Sequence, residues 1–223
     1  MRPPAYHLAM PVHYGSGVVF ASPHSGRDYS DSFLEQSVLD RNLIRSSEDA
    51  FVDQLFACAP DHGCAFLHAS APRAFVDLNR SNTELDSAVI TGVTNAVYTP
   101  RVLSGLGVIP RVVSNSRAIY RGKLTLDEAT KRLDQYWRPY HTRLQSLLSA
   151  AQASFGQAIL IDCHSMPREA LDGTFRAGQK RPEIIIGDRF GASASRYIVD
   201  GIQDILTQAG FTVSRNMPFA GAY

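Results

Sequence analysis

Two histidines stand at matching places in the chain. His24 lies in Ser22-Pro23-His24-Ser25-Gly26, after the apolar run Val18-Val19-Phe20-Ala21, and His164 lies in Ile161-Asp162-Cys163-His164-Ser165, after Ala158-Ile159-Leu160-Ile161. Each run reads as a short buried strand, so both imidazoles are expected just past a carboxyl strand end, the rim where open α/β sheets bind ligands. One such histidine is ordinarily a polar loop residue, but two in the same setting invite a metal. A catalytic zinc commonly takes three protein ligands from His and carboxylate and keeps a fourth position for water. The carboxylate could come from Asp49 or Glu48, because the first turn of a helix following the first strand can point back to the same rim. Asp49 reads equally well as an ordinary helix-capping acid.

Arg73 and the run Asp77-Leu78-Asn79-Arg80 are expected at the end of a further strand, which would bring two guanidinium groups to that rim. Guanidinium forks bind carboxylates in bidentate fashion, and an Arg beside a developing oxyanion stabilises its charge. The plainer alternative is a surface ion pair of Arg80 with Asp77 or Glu84. Ser25 and Ser165 each follow a histidine, yet neighbours on a strand end point in different directions, and the sequence has no Gly-x-Ser-x-Gly elbow. A serine hydrolase is therefore rejected. Cys163 alternates away from His164 and reads as a buried structural thiol.

The elements that must position these residues follow from periodicity and punctuation. Strands are expected over residues 18–22, 65–68, 74–78, 158–162 and 183–187, with another starting at 211. A helix over about 47–59 has Ser46-Ser47 as caps and Phe51, Val52, Leu55 and Phe56 as its apolar face. The longest helix starts at the Thr125/Glu128 capping-box spacing, with a kink or break near Arg138 because of Pro139. A last helix covers roughly 191–209 and ends at Gly210. Residues 81–107 lack a sustained period and read as an excursion that could cover a pocket. Strands alternating with helices imply an α/β fold, a mainly parallel sheet with helices on both faces.

The 223 residues fit one α/β domain, 1–223. With 22 basic and 21 acidic side chains the formal charge is +1, which gives no general excess to neutralise phosphates, so nucleic acid is not an expected partner. No apolar stretch approaches the roughly 20 residues that a spanning helix needs, and Met1–His7 has no apolar signal core, so a soluble cytoplasmic protein is expected. Cys58, Cys64 and Cys163 form no Cys-x-x-Cys pair and read as reduced thiols.

Six stretches taken together resemble the N-formylglutamate amidohydrolase family across nearly the whole chain: residues 22–26, 48–55, 73–80, 137–141 (Trp-Arg-Pro-Tyr-His), 161–165 and 187–191 (Gly-Asp-Arg-Phe-Gly). The resemblance implies a three-layer fold of the zinc-peptidase (phosphorylase/hydrolase-like) type, related to carboxypeptidases and aspartoacylases. It implies zinc on His24, Asp49 and His164 and hydrolysis of N-formyl-L-glutamate to formate and glutamate, in histidine degradation. It also implies that Asn79 and Arg80 hold the carboxylate of a small acidic N-acyl amino acid, with Arg73 polarising the carbonyl. Family members continue past the position of Gly221-Ala222-Tyr223 into a segment whose glutamate resembles the source of the general base. The sequence ends at Tyr223, so Glu48 is the expected substitute base, and an edge left open by the missing strand would favour a homo-oligomer. A deacylase for another N-acyl amino acid and a metal-binding protein without turnover are the rival expectations.

Overall fold

The computed structural model describes residues 4–95, 97–172, 174 and 180–221. Ala222 and Tyr223 of the terminal Gly-Ala-Tyr stretch lie outside them. The chain divides into two compact units, Met1–Ser165 and Met166–Tyr223.

The first unit is built on four strands: β1 (Tyr6–Ala9), β2 (Val18–Ser22), β3 (Ala65–Ala69) and β4 (Ile159–Asp162), in the order β1-β3-β2-β4. β2 runs parallel to both β3 and β4, while β1 pairs antiparallel with β3. The sheet is thus mixed with a parallel centre, and the α/β expectation holds. Alternate side chains of β3 serve two cores, as the period of two requires. Ala65, Leu67 and Ala69 join Val19 in packing against Tyr140, Leu147 and Ala151. Phe66 turns the other way, to Val18, Phe20, Phe56 and Ala59. Both faces are therefore covered, which is why the central strands read as continuous apolar runs.

The helix on the first face starts as expected. Thr125 accepts from the Glu128 N–H at 3.2 Å, and the Glu128 carboxylate accepts from the Thr125 N–H at 2.9 Å, closing a capping box. Helix α1 (Leu126–Arg132) runs into a π-turn at Leu133–Trp137, and α2 (Arg138–Phe155) follows. The irregular turn ends two residues before Pro139, which has no N–H to give and whose ring crowds the preceding turn. The expected break is there, spread over one widened turn. Thr125→Ala should lower stability by about 1 kcal/mol, seen as a melting-temperature fall of roughly 2–4 °C for a chain of this length. An unchanged melting curve would contradict that role for the cap.

Three expectations are corrected. Residues 47–59 do not form one helix: a 3-10 turn at Leu43–Ser47 gives way to extended backbone at Glu48, and Phe51 is left-handed at φ 66°. Only Val52–Leu55 is α-helical, and Ala59–His62 is again a 3-10 turn. The cause is tertiary: the Asp49 N–H donates to the His24 carbonyl at 3.0 Å, tying this stretch to the end of β2 instead of to a helical ladder. Residues 74–78 are not a strand. Pro72 accepts from the N–H groups of Phe75 and Val76, making a turn, and the Asp77 N–H donates to Val108 across the fold. Ala74, Val76, Asp77 and Leu78 are buried all the same, so the apolar stretch marked a buried loop. Finally, β1 lies ahead of residue 18, where the first strand was expected.

In the second unit, β5 (Ile184–Ile186) pairs parallel with β6 (Val213–Arg215), with helix α3 (Arg196–Gln208) between them in the chain. The helix begins five residues later than expected. Asp188 draws the N–H groups of Gly191 and Ser193 onto its backbone carbonyl, and Arg189 and Phe190 adopt φ of 55° and 57°. Among the described residues no helix is long and apolar enough to cross a membrane.

Candidate metal centre

His24 follows β2, His164 follows β4, and the stretch tied back by the Asp49 N–H delivers Asp49 between them. One ligand atom from each of the three lies within 4.8 Å of the others. Asp49 Oδ2 is 2.9 Å from His164 Nδ1 and 3.6 Å from His24 Nδ1, and the two rings lie 4.8 Å apart between centroids. Of Glu48 and Asp49, it is Asp49 whose carboxylate faces both imidazoles.

A buried carboxylate orients His24 from behind. Its Nε2–H donates to Asp77 Oδ1 at 2.7 Å, with His24 2% and Asp77 1% exposed. A carboxylate only accepts, so this bond fixes the proton on Nε2 and turns the Nδ1 lone pair toward Asp49. That Nδ1 is buried and has no hydrogen-bond partner among the described residues. At 3.6 Å the Asp49 oxygen is too far for a hydrogen bond, and it is itself an acceptor. Two buried acceptors facing each other are unfavourable unless a cation lies between them. Two imidazole nitrogens and one carboxylate oxygen form the donor set of a catalytic zinc site, so the residues present fit a divalent metal, with Asp77 as the outer partner of a ligand histidine. Gly26, two residues on, permits the close approach of this loop: a Cβ there would sit 2.1 Å from the Ala71 carbonyl oxygen.

The electrostatics follow from the same contacts. Burial pushes the Asp49 carboxyl upward, but the hydrogen bond from His164 and the two imidazoles beside it outweigh that, holding the group well below the usual carboxylate range. Asp77 behaves likewise, with burial overcome by the adjoining His24 imidazole, which donates to it, and by the charge of Arg73. For His164 burial acts downward, and the hydrogen bonds and charges of Asp162 and Asp49 win, raising it to about 9.

Around this core, the Arg73 Nε–H donates to Asp77 Oδ2 at 3.0 Å and Arg80 Nε lies 4.0 Å from the same oxygen. The pairing of Arg80 with Asp77 is therefore buried, not a surface contact. Asn79 Nδ2 is 3.1 Å from His164 Nε2. Glu48 belongs to a neighbouring cluster: its carboxylate accepts from Tyr29 Oη and from Arg45 Nε and Nη2, each at 3.1 Å. Cys163 is buried, and burial pushes its thiol up to about 12, as a structural thiol requires. Ser22 Oγ donates to Ser25 Oγ at 2.9 Å in a buried pair.

Two residues of this network were not singled out from sequence. Asp77 was named only as an ion-pair partner, although an acid in the middle of Ala74–Leu78 is a charge at a buried position that must be paired. Asp162 Oδ2 lies 3.0 Å from His164 Nε2, and its signal was the spacing of two, which puts both side chains on one face of an extended chain.

A family model described as N-formylglutamate amidohydrolase matches residues 16–223. The N-formylglutamate deformylase of Pseudomonas putida is 27% identical over 207 residues, 92% of this chain and 72% of that protein. The protein of the same name from Pseudomonas aeruginosa is 23% identical over 209 residues, with the same coverage. The crystal structure of N-formylglutamate amidohydrolase from Ralstonia eutropha JMP134 superposes with a TM-score of 0.89 at 32% identity, covering 97% of this chain and 78% of that one. Gene product Atu2144 of Agrobacterium tumefaciens, at 14% identity and a TM-score of 0.67, shares the fold over 97% of this chain and 75% of its own.

Proposed function

The chain belongs to the N-formylglutamate amidohydrolase family, and from that premise we propose that it hydrolyses N-formyl-L-glutamate to formate and L-glutamate, using a zinc ion held by His24, Asp49 and His164, as a step of histidine degradation. The observation that carries the metal assignment is the buried, unpartnered Nδ1 of His24 aimed at the carboxylate that also meets His164. When bound, zinc supplies a water of lowered pKa and Lewis acidity toward a carbonyl oxygen.

The chain's own residues do the rest. Asp77 keeps the His24 proton on Nε2, so that Nδ1 presents a lone pair. Asp162 anchors His164 through its other nitrogen. Asn79 and Arg80, on one short stretch beside His164, are assigned the substrate's carboxylate. Arg73 is assigned the carbonyl oxygen of the formyl group, where negative charge develops as water adds. Family membership implies a fold of the zinc-peptidase type, and the parallel strands ending at the two histidines suit that reading.

Formate release by the soluble full chain loaded with zinc tests the proposal, with N-formyl-L-glutamate compared against N-acetyl-L-glutamate. Preferred turnover of the formyl compound is expected, and no formate from zinc-loaded protein would overturn it. Glu48 is a separate matter, because its carboxylate is occupied by Arg45 and Tyr29. Glu48→Gln is expected to keep kcat within about tenfold, whereas a loss beyond roughly a hundredfold would assign it to general base catalysis.

A further inference from the structure

The stretch Leu78–Arg80 has three consecutive backbone carbonyls, each held by a side chain. His141 Nε2–H donates to the Leu78 carbonyl at 2.9 Å, Arg80 Nη1 to the Asn79 carbonyl at 2.6 Å, and Trp137 Nε1–H to the Arg80 carbonyl at 2.8 Å. The Asn79 N–H donates in turn to Asp77 Oδ1 at 2.9 Å. Trp137 and His141 are four residues apart, so they lie on one helical face, and their rings pack with centroids 4.1 Å apart. They flank the junction between the π-turn and α2, and π-turns recur at functional sites. Because a carbonyl only accepts, His141 must carry its proton on Nε2, and burial lowers its pKa so that the neutral ring is favoured.

A buried irregular loop needs donors for its carbonyls whatever it does. What this loop delivers points further. Its Asn79 amide reaches His164 Nε2 at 3.1 Å, and its Arg80 guanidinium lies beside Asp77. Two side chains beside the metal centre are thus carried on a backbone that one aromatic pair holds from behind.

We propose that Trp137 and His141 are positioning residues: a clamp that fixes Leu78–Arg80 so that Asn79 and Arg80 receive the carboxylate of an acidic acyl amino acid beside the metal centre. The clamp thereby sets the preference for an acidic over a neutral substrate. The proposal rests on the assignment of Asn79 and Arg80 to the carboxylate under Proposed function. No substrate atom touches Trp137 or His141 on this reading, so the clamp acts on binding and not on the chemical step.

The zinc-loaded full chain and its variants Trp137→Phe, His141→Ala and His141→Gln would be titrated calorimetrically with L-glutamate and assayed for formate release from N-formyl-L-glutamate and N-formyl-L-glutamine. Trp137→Phe keeps an aromatic ring but has no N–H, and His141→Gln keeps an N–H of similar reach. Losing one such hydrogen bond should weaken glutamate binding and raise KM for the acidic substrate about tenfold, while kcat stays within roughly threefold and zinc stays stoichiometric. The acidic-over-neutral preference should fall by a similar factor, and His141→Gln should restore it. Unchanged glutamate affinity in both Trp137→Phe and His141→Ala overturns the clamp, as do equal losses for the two substrates or a wild type that binds no glutamate. A wild type that binds glutamate but releases no formate sinks the hydrolytic reading alone, and the binding measurements still decide the clamp.

Discussion

Asp77→Asn should weaken zinc binding by about 10–100-fold, the range for losing the outer carboxylate of a ligand histidine. Asp77 receives the His24 Nε2–H at 2.7 Å and the Arg73 Nε–H at 3.0 Å and has Arg80 Nε at 4.0 Å. An amide in its place can accept from one of these donors, but it carries no charge and turns its own N–H₂ toward the others. His24 then loses both the bond that fixes its tautomer and the negative charge that makes Nδ1 a better base. Competition for zinc against a chelator of known affinity reads the effect, and unchanged affinity would refute the role.

The same substitution should cost about 3 kcal/mol of stability, the low end for removing one partner of a buried ion pair, because Arg73 still reaches solvent. The pH dependence gives a second check. Asp77 is held below the usual carboxylate range in the folded chain, so its contribution is present above the unfolded value of roughly 3.9 and is lost as pH falls further, toward the folded value. Wild type and Asp77→Asn should therefore differ most near neutrality and converge in acid. Denaturation curves for the metal-free proteins would show this, and a pH-independent gap would mean that Asp77 contributes by packing alone.

The parts legible from sequence are those whose cause is local. The capping box at Thr125 and Glu128 is a short-range hydrogen-bond exchange, and it formed as spaced. The run before His24 is apolar on both faces because both faces of the sheet are covered there. The run before His164 forms an edge strand with Leu160 40% exposed, so its apolar character marked the strand and its end but not full burial. Pro139 announces its own disturbance by lacking an N–H.

What was hidden depends on partners distant in sequence. Ser46 to Phe56 has caps and helical spacing, yet the Asp49 N–H binds the His24 carbonyl, and one such long-range bond outweighs propensities worth tenths of a kcal/mol per residue. The strand expected over residues 74–78 found a buried stretch but the wrong backbone, since burial in a loop leaves apolar residues much as burial in a strand does. Asp77 shows the limit most clearly. Its place in an apolar run marks a charge that needs a partner, but that the partners are His24 and Arg73 is a fact of the fold. The residue types that gather at this rim could be picked out because metal chemistry narrows the candidates, while the residues that orient the two histidines could not.

Zinc affinity should climb about tenfold per pH unit from pH 6 and level off near 9, because binding displaces one proton from His164. In the metal-free protein the imidazole is bracketed by Asp162 at 3.0 Å and Asp49 at 2.9 Å, which raises its pKa to about 9. Asp49 adds nothing in this window, since it is ionised throughout. For stability the sign is the reverse of the Asp77 case. A folded-state pKa above the unfolded value of about 6.5 gives a contribution fully present below that value and lost as pH rises through about 9, at most roughly 3 kcal/mol and less for a ring that is partly exposed. Zinc-loaded protein lacks this limb, because the metal has replaced the proton, so the stability gap between loaded and metal-free forms should widen from pH 6.5 to 9. Asp162→Asn removes one of the two charges that hold the proton and should move the plateau to lower pH. His164→Ala should abolish both the slope and stoichiometric zinc. Flat affinity across this range in the wild type would show that His164 gives up no proton to the metal, and the ligand set would then have to exclude it.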